Sequence, residues 1–489
     1  MKLKRKTSFV KKQSSSLLNI NVLKEKLFQN VSAQTLGLFR IILGAGLIYE
    51  AFRIKSLIPK YYLNPEFFIK WDFFPNIPVF SATILYFFTT ILFVSAVLIL
   101  IGFIFRIAVF AYLSVYVYFI LAEASYYNNH YYFISLLLFI LLFTKADYFL
   151  SVRQLIFNKI YKKETENIPA WNYFLLCFQV FIAYFIAGIV KLNFDWISTN
   201  TFRCVMQYGT EYPKDVQFYH TNFAIYFLTF GGLFFDLFVP LMLLNKRTRI
   251  FAIPAILTFH TINAATLNIG VFPYLMAGCT IIFFRNDLVN YWKYFFKNNT
   301  TEKSFIKKLN TIQEPILTKG VFSKKIYYSI LFYCFLQLFL PFRHVFIPGN
   351  VGWTGEGNNF SWRMKMGLKA PTRFDLFVYN KVTGKEYKPT ININPHQYSS
   401  LWICPNRMKQ IADYVANKTA KQFHISKDSL TVTCKSELIF NGHPTTTIFD
   451  TTVNLLDINV NKWGHSNFIT KEPLPLPKDQ YYWLSEFYN

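Results

Sequence analysis

The sequence predicts a polytopic α-helical membrane protein with a C-terminal extracytoplasmic domain that is β-rich or α+β. Of its 489 residues, 53% are hydrophobic and only 16% are charged, well below the roughly 25% that is usual in soluble domains. Several apolar runs approach the length of about 20 residues that a helix needs to cross the hydrocarbon core. The formal charge of +25 is concentrated in the links between these runs, as in cytoplasmic loops.

The apolar runs predict eight or nine membrane segments. Seven of them lie at residues 36–52, 73–105, 107–122, 126–144, 168–190, 218–244 and 326–342. The remaining run, 250–284, is too long for one span and short for two, so we expect a pair of short tilted helices or a re-entrant hairpin turning near 268–270. Arg40 in the first span is expected to pack inside the bundle, because a charge facing lipid is costly.

Charge and pattern divide the chain into three regions. A basic cytoplasmic arm occupies 1–35, a transmembrane helical domain 36–342 and an extracytoplasmic domain 343–489, because the basic links 145–166, 245–249 and 285–325 are then all cytoplasmic. We expect a bacterial inner membrane, or an ER-type membrane in a eukaryote. The last region shows strand-like patterns at 373–379, 386–394 and 429–434 and a helical pattern at 401–417.

The polar residue types exclude two classes of function. The chain has no HxxxH or HExxH arrangement and no metal-ligand spacing among its six cysteines, so we predict no metal site. Its basic residues do not cluster on one polar domain, which argues against a nucleic-acid partner. Cys404 and Cys434 share the last domain and could form a disulfide in an oxidising compartment, although their spacing does not decide this.

One stretch concentrates polar groups at the end of an apolar helix. Residues 184–196 read YFIAGIVKLNFDW and place Lys191 directly after the fifth predicted span. The simplest interpretation is a lysine whose ammonium reaches the lipid headgroups from a helix end, where substitution would leave folding largely unaffected. The alternative is a functional lysine, because desolvation in apolar surroundings favours its neutral, basic form.

The predicted topology favours the functional alternative. It brings Lys191 to the same leaflet as polar residues from three other segments, namely His130, the pair His260 and Asn263, and His344. Each of these has an ordinary structural explanation, but their convergence beside a loop-rich outer domain indicates a membrane-embedded site. Such a site would be open to lipid-soluble molecules from the side and to polar molecules from outside the cytoplasm.

A set of ordered motifs resembles a known family. The stretches are NNHYYF (128–133), FIAGIVKLNFDW (185–196), FHTINAATLNIGVFPY (259–274), QLFLPFRHVF (337–346) and WTGEGNNFSWRMKM (353–366). Over roughly residues 30–465 the chain resembles the vitamin K-dependent γ-glutamyl carboxylase family, in a microbial-type version with an HTTM-like membrane domain. It departs from the family at His443, where arginine usually follows the NG of NGHP.

The resemblance implies an enzyme, a carbon–carbon lyase that converts peptide-bound glutamate to γ-carboxyglutamate. The implied cofactor is vitamin K hydroquinone, a reduced naphthoquinone that is oxidised to its epoxide, with O₂ and CO₂ as co-substrates and no metal. The implied partners are membrane lipid and a glutamate-containing protein or peptide on the extracytoplasmic side.

The resemblance also implies roles for single residues. Lys191 matches the lysine that deprotonates the quinol, with His130 as the second catalytic residue. The residues implied in quinol binding are Asn128, Asn129, His130, His260 and Asn263, and those implied in substrate binding are His344, Trp353 and Trp362.

Two other functions stay open. A non-catalytic quinone- or lipid-binding or transport protein could have the same fold, because fold does not dictate function. The other is a quinol epoxidase, which would oxidise the quinol to its epoxide without carboxylating glutamate.

The orientation can be tested by labelling. A cysteine introduced at Ser399, in the predicted extracytoplasmic domain, should react with an impermeant thiol reagent in intact cells. Labelling that occurs only after lysis would contradict the predicted orientation.

Overall fold

The computed structural model describes residues 20–160, 167–208, 217–266, 270–285, 320–364, 366–388, 391–402 and 404–473. Most of the predicted basic arm, the basic residues 161–166, most of the link 285–325, Asn268 and the tail after 473 lie outside these residues.

Helices dominate the first 342 residues. They are α1 (Ile20–Phe28), α2 (Gln34–Ile58), α3 (Ala82–Ile101), α4 (Phe105–Ala122), α5 (Asn129–Phe143), α6 (Val152–Ile160), α7 (Trp171–Val190), α8 (Phe194–Ile197), α9 (Asn200–Tyr208), α10 (Asn222–Leu244), α11 (Arg249–Thr266), α12 (Phe272–Cys279) and α13 (Lys324–Phe342). A two-stranded sheet pairs β1 (Asn30–Ser32) with β2 (Asn167–Pro169).

Within the described residues, six helices are long and apolar enough to cross a membrane. They are α2, α3, α4, α7, α10 and α13, and three shorter apolar helices lie at Asn129–Phe143, Arg249–Ala265 and Phe272–Phe284. The chain is therefore a helical membrane protein, but the expected count of eight or nine spans is not confirmed. The run 250–284 forms the pair of short helices, α11 and α12.

Two element boundaries differ from the sequence prediction for local reasons. The run 73–105 contains a helix only from Ala82, because residues 75–81 include two prolines and the extended N-cap Ser81. That helix ends at Gly102, which has the left-handed φ of 66°. The segment 197–217, in which no helix was predicted, contains α9, which is too polar on average to give a membrane-span signal.

Arg40 packs inside the bundle, as predicted. Its side chain is fully buried and its guanidinium donates to the backbone carbonyls of Ile99 (2.7 Å), Ala146 (3.1 Å) and Leu150 (2.6 Å). These carbonyls belong to the end of α3 and the link after α5, so one side chain satisfies acceptors that the helix ends leave unpaired.

The C-terminal domain is α+β in its described residues. Its strands β3 (Lys369–Asn380), β4 (Glu386–Tyr387), β5 (Leu430–Phe440) and β6 (Thr446–Thr447) form one antiparallel sheet in the order β4-β3-β5-β6. Three helices, α14 (Val351–Thr354), α15 (Pro395–Leu401) and α16 (Pro405–Phe423), complete it. Alternate residues of β5 are buried, as the period-two pattern at 429–434 predicted. Of the strand predicted at 386–394, only Glu386 and Tyr387 form a strand, β4.

The thiols of Cys404 and Cys434 are free. The hypothesis of a disulfide between them therefore finds no support in the structure.

A buried carboxylate joins the two domains. Glu123, which follows α4, accepts hydrogen bonds from the backbone N–H groups of Ile69 (3.1 Å) and Ser125 (3.0 Å). It also accepts one from the side-chain amide of Gln397 in α15 (3.1 Å). Burial raises the pKa of Glu123, which these hydrogen bonds oppose. A neighbouring contact runs from the guanidinium of Arg407 to the carbonyl of Ala124 (2.9 Å).

Candidate functional site

Lys191 stands where α7 ends and the chain turns into α8. Its N–H bonds to the carbonyl of Gly188, which closes the last turn of α7. Asn193 fixes the turn from both sides, because its amide donates to the carbonyl of Val190 (2.9 Å) and its oxygen caps α8 at the N–H of Trp196 (3.1 Å). Three hydrogen bonds, at residues 188, 190 and 196, therefore fix the backbone around Lys191.

The side chain of Lys191 forms a buried ion pair. Its ammonium contacts the carboxylate of Asp236, from the middle of α10, and only 6% of Lys191 and 3% of Asp236 is exposed. The ring of Trp196 lies 5.1 Å from the ammonium, a cation–π distance. The ammonium does not extend to the surface.

Because the pair is buried, substitution of Lys191 is expected to lower the stability of the fold. Removing one partner of a buried pair leaves an uncompensated charge, at a cost of about 3–5 kcal/mol. The expectation that substitution would leave folding largely unaffected is therefore wrong, because the pairing with Asp236 was not visible in the sequence.

Phe235, the residue before Asp236 in α10, packs against His260. The ring of Phe235 lies 5.6 Å from Tyr184 and 5.9 Å from His260, and it stacks on Phe259 at 3.8 Å. His260 Nε2 and the hydroxyl of Tyr184 are 2.6 Å apart. Helix α10 therefore brings Lys191 and His260 into one neighbourhood. Asn263 follows His260 by about one helical turn and is half-buried.

A second group forms around the start of α5. Asn128 caps this helix, its oxygen accepting the N–H groups of His130 (3.1 Å) and Tyr131 (3.3 Å). The amide of Asn129 reaches the carbonyl of Arg363 at 3.4 Å. The ring of His130 lies 5.5 Å from Phe272 at the start of α12.

The three residues implied in substrate binding occupy different surroundings. His344 is half-buried, with Nδ1 2.9 Å from the carbonyl of Pro341. Trp353 is 1% exposed in the core of the C-terminal domain, where its indole N–H donates to Thr470 (2.7 Å). Trp362 is fully buried against Tyr132, with ring centroids 5.1 Å apart. Both tryptophans therefore pack inside the protein and offer no surface to a peptide in this structure.

The structure places three further residues at this site that the sequence analysis did not assign to it. They are Asp236, Tyr184 and Thr229. The signal for Asp236 was an acid in an otherwise uncharged run, which is a functional-site indication in membrane helices. Thr229 lies two turns before Asp236, its carbonyl accepts the indole N–H of Trp196 (3.0 Å), and its buried hydroxyl has no hydrogen-bond partner.

An apolar groove of about 350 Å³ runs along α7. Its walls are side chains of α7 from Phe174 to Ile189, together with Leu244, Leu338 and Phe342. Ile189 lies two residues before Lys191 and so on the opposite face of the helix, and the ion pair is not part of the groove wall.

Comparison with known families identifies the chain. Residues 28–288 match the family described as "HTTM domain", and residues 322–474 match "Vitamin K-dependent gamma-carboxylase, lumenal domain". The chain belongs to the vitamin K-dependent γ-carboxylase family. No solved structure matches it. Lys191, Asp236 and His260 lie in the HTTM region of this carboxylase-family chain, and His344, Trp353 and Trp362 lie in its lumenal-domain region.

The seam between the two regions of this carboxylase-family chain holds three groups that could ligate a metal. Asp195, His443 and Glu472 present atoms that all lie within 4.8 Å of one another. His443 Nε2 is 2.9 Å from Asp195, so the residue at which the chain departs from its family contacts α8.

Close approach of α7 and α10 depends on Gly188. A Cβ at this position would lie 2.8 Å from the side chain and 2.9 Å from the backbone nitrogen of Leu237, the residue after Asp236. The missing side chain at 188 therefore lets α10 approach α7 where Lys191 and Asp236 must meet.

We predict that Gly188→Ala separates the two helices. Overpacking of this kind costs about 1–3 kcal/mol, which exceeds the gain in helix propensity of about 1 kcal/mol. The thermal unfolding temperature of the purified protein should fall. The matched control is Gly231→Ala, since a Cβ at 231 would meet no atom within 4 Å. Equal unfolding temperatures for the two variants would contradict the prediction.

Proposed function

We propose that this protein is an integral-membrane carboxylase that converts peptide-bound glutamate to γ-carboxyglutamate. The conversion is coupled to oxidation of vitamin K hydroquinone to its epoxide, with O₂ and CO₂ as co-substrates. The observation that carries the proposal is the buried Lys191–Asp236 pair at the end of helix α7, in a chain of the carboxylase family.

The residues around Lys191 fit a reduced naphthoquinone. The groove along α7 is lined by apolar and aromatic side chains, which suit a lipid-soluble ring and tail. Next to Trp196, whose ring contacts the Lys191 ammonium, the Thr229 hydroxyl is buried without a partner, and such a group is paired when a polar ligand atom reaches it. When bound, reduced vitamin K supplies, with O₂, the strong base that removes the γ-proton of glutamate.

Lys191 Nζ acts as the base towards the quinol hydroxyl, and Asp236 makes this possible. An ammonium cannot accept a proton, so Lys191 first transfers one to the carboxylate it contacts. The resulting amine and carboxylic acid are less costly to bury than two charges, because neither form carries the desolvation penalty of an ion. Lys191 is then a neutral amine in a site shielded from water.

The histidines and asparagines hold the quinol in this proposal. His260 is oriented by its contact with the Tyr184 hydroxyl, and Asn263 lies one turn further along α11. On the other side, Asn128 positions His130 by capping α5, and Asn129 is tied to the backbone of Arg363. His130 then polarises the quinol from the α5 side.

The glutamate carboxylate is bound at the loop of residues 355–363. Arg363 lies at its end, and the Nε atom of this guanidinium is buried without a hydrogen-bond partner. Burial lowers the pKa of Arg363 to about 10, so the group stays charged near neutral pH. Arg343 donates to the carbonyls of Leu340 (2.7 Å) and Asn359, which anchors the loop beside His344. A guanidinium matches the two oxygens of a carboxylate.

The backbone of this loop is strained where it carries the aromatic anchors. Phe360 and Trp362 have φ values of 60° and 57°, in the left-handed region that non-glycine residues rarely adopt. The N–H of Phe360 donates to the Tyr127 hydroxyl (2.8 Å), and Trp362 is buried. In the proposal Trp362 contributes to substrate binding by holding this loop, since strain of this kind persists where packing imposes it. Trp353 contributes by fixing α14, just before the loop, through its hydrogen bond to Thr470.

The two substrates arrive from different sides. The quinol comes laterally from membrane lipid, and the peptide comes from the extracytoplasmic side, where residues 343–489 lie when the N-terminus is cytoplasmic. Closure of the site by the C-terminal domain would keep water from the carbanion, which would otherwise be reprotonated before it captures CO₂.

The decisive experiment is mass spectrometry of a glutamate peptide. The peptide is incubated with the purified protein, reduced vitamin K, O₂ and bicarbonate, and γ-carboxyglutamate and quinone epoxide are both measured. Epoxide without γ-carboxyglutamate would identify a quinol epoxidase, and neither product would favour the non-catalytic quinone-binding or transport protein.

We predict that Lys191→Ala abolishes epoxidation and carboxylation together, because both follow the first deprotonation. Loss of a general base costs about 10²- to 10⁴-fold in rate. The variant also leaves Asp236 unpaired, so the control is the double variant Lys191→Met/Asp236→Leu, which removes both charges. This control should unfold at a temperature near that of the wild type and be equally inactive. Epoxidation near the wild-type rate in Lys191→Ala would make Lys191 a positioning residue instead.

We predict that Arg363→Gln raises the KM for the glutamate peptide about 10- to 100-fold, the loss expected for a charged hydrogen bond of about 1.5–3 kcal/mol. Arg363→Lys should recover part of the loss. Arg373→Gln is the matched control, because Arg373 is an exposed arginine whose ion pair with Asp375 lies on the surface of the C-terminal domain. An unchanged KM in Arg363→Gln would rule out the carboxylate contact.

A further inference from the structure

Three ligand-type side chains meet at the seam between the domains, outside the chemistry proposed above. Asp195 comes from α8 of the membrane domain, and His443 and Glu472 come from the C-terminal domain. Asp195 is 7% and His443 3% exposed, and Glu472 is half-buried. Their oxygen and nitrogen atoms lie within 4.8 Å of one another, and small side-chain rotations would bring all three to the distance of about 2.0–2.2 Å that zinc ligands have.

The imidazole of His443 is oriented for ligation. Its Nδ1 is 2.9 Å from the carbonyl oxygen of Pro473, which only accepts, so Nδ1 carries a proton. Nε2 therefore faces Asp195, with its nearest oxygen at 2.9 Å. Metal-binding histidines commonly show this arrangement, in which the second ring nitrogen donates to a backbone carbonyl.

Neutral amides position both carboxylates. The side-chain amide of Asn441 donates to Asp195 (2.8 Å), and that of Asn350 donates to Glu472 (2.7 Å). The nearby ammonium of Lys369 donates to the carbonyls of Trp353 and Trp402 (2.6 Å for the latter). Two carboxylates this close repel each other, and a divalent cation would balance their charge when His443 is a neutral ligand.

We propose that Asp195, His443 and Glu472 form a zinc site that fastens the C-terminal domain to the membrane domain. Imidazole nitrogen and carboxylate oxygen are both ligand atoms that Zn²⁺ accepts, and a water molecule would complete the four-coordinate site. The imidazole favours zinc over magnesium or calcium, which prefer all-oxygen ligands. On binding, the Nε2–Zn bond replaces the Nε2–H bond of the imidazolium, the proton passes to solvent and no group is oxidised or reduced.

The test measures zinc binding to the full-length protein in detergent, purified with a tag that contains no histidine. Zn²⁺ is titrated against a chelating indicator, and Co²⁺ is then substituted to record the visible absorption of a site with an imidazole ligand. Wild type should bind one zinc ion per chain, and zinc should raise its unfolding temperature.

His443→Arg keeps a positive charge beside Asp195 but cannot ligate, so it should bind zinc at least 10-fold more weakly, with no gain in unfolding temperature. Glu472→Gln should also weaken binding.

The control variant is His465→Gln. His465 lies in the same domain and contacts Glu356 at 2.8 Å, but it is not one of the three ligands, so this variant should bind zinc as the wild type does. Equal zinc affinity in His443→Arg and wild type would overturn the proposal, as would a wild-type protein that binds no zinc. In the latter case an imidazolium–carboxylate pair alone would join the domains.

Discussion

The requirement that a charge in an apolar bundle be paired governs the arrangement of the membrane domain. Lys191 and Asp236 lie on different helices, and neither reaches water, so α7 and α10 must approach until the ammonium and the carboxylate touch. Gly188 permits this approach because it has no side chain to meet Leu237. The short helix α8 then folds back, and Trp196 covers the ammonium. Helix spacing and the turn after α7 are thus both consequences of one ion pair.

In the proposed mechanism the same pair sets the condition for proton transfer. A carboxylate in contact stabilises an ammonium, which opposes its use as a base, and it is also the nearest group that can take the proton away. Proton exchange inside the pair changes no net charge, so the low dielectric of the bundle does not penalise it as it would penalise an isolated ion. Helix α10 extends this neighbourhood through Phe235 to His260 and Tyr184, which makes it the element that connects the predicted site residues.

The C-terminal domain contacts the membrane domain at separate points. Glu123 and Arg407 join it to the link after α4, the N–H of Phe360 joins it to Tyr127 before α5, and His443 joins it to Asp195 just beyond Lys191. Apolar packing accompanies these polar contacts, since Ile69 and Ala124 belong to the hydrophobic core of the C-terminal domain. The loop that ends at Arg363 thereby lies against Asn129 at the start of α5.

The sequence by itself determined the membrane class, most helix positions and Lys191 as the residue of interest, because hydropathy, periodicity and an ionisable group at a helix end are local signals. For the last domain it indicated strands but left a β-rich and an α+β fold open. It did not determine that Asp236 pairs with Lys191, since 45 residues separate them and no spacing rule connects different helices. It also did not show that Trp353 and Trp362 are buried, that His443 meets Asp195 or that Arg363 reaches Asn129. Those facts depend on how helices and domains pack, and packing depends on contacts between residues far apart in the chain.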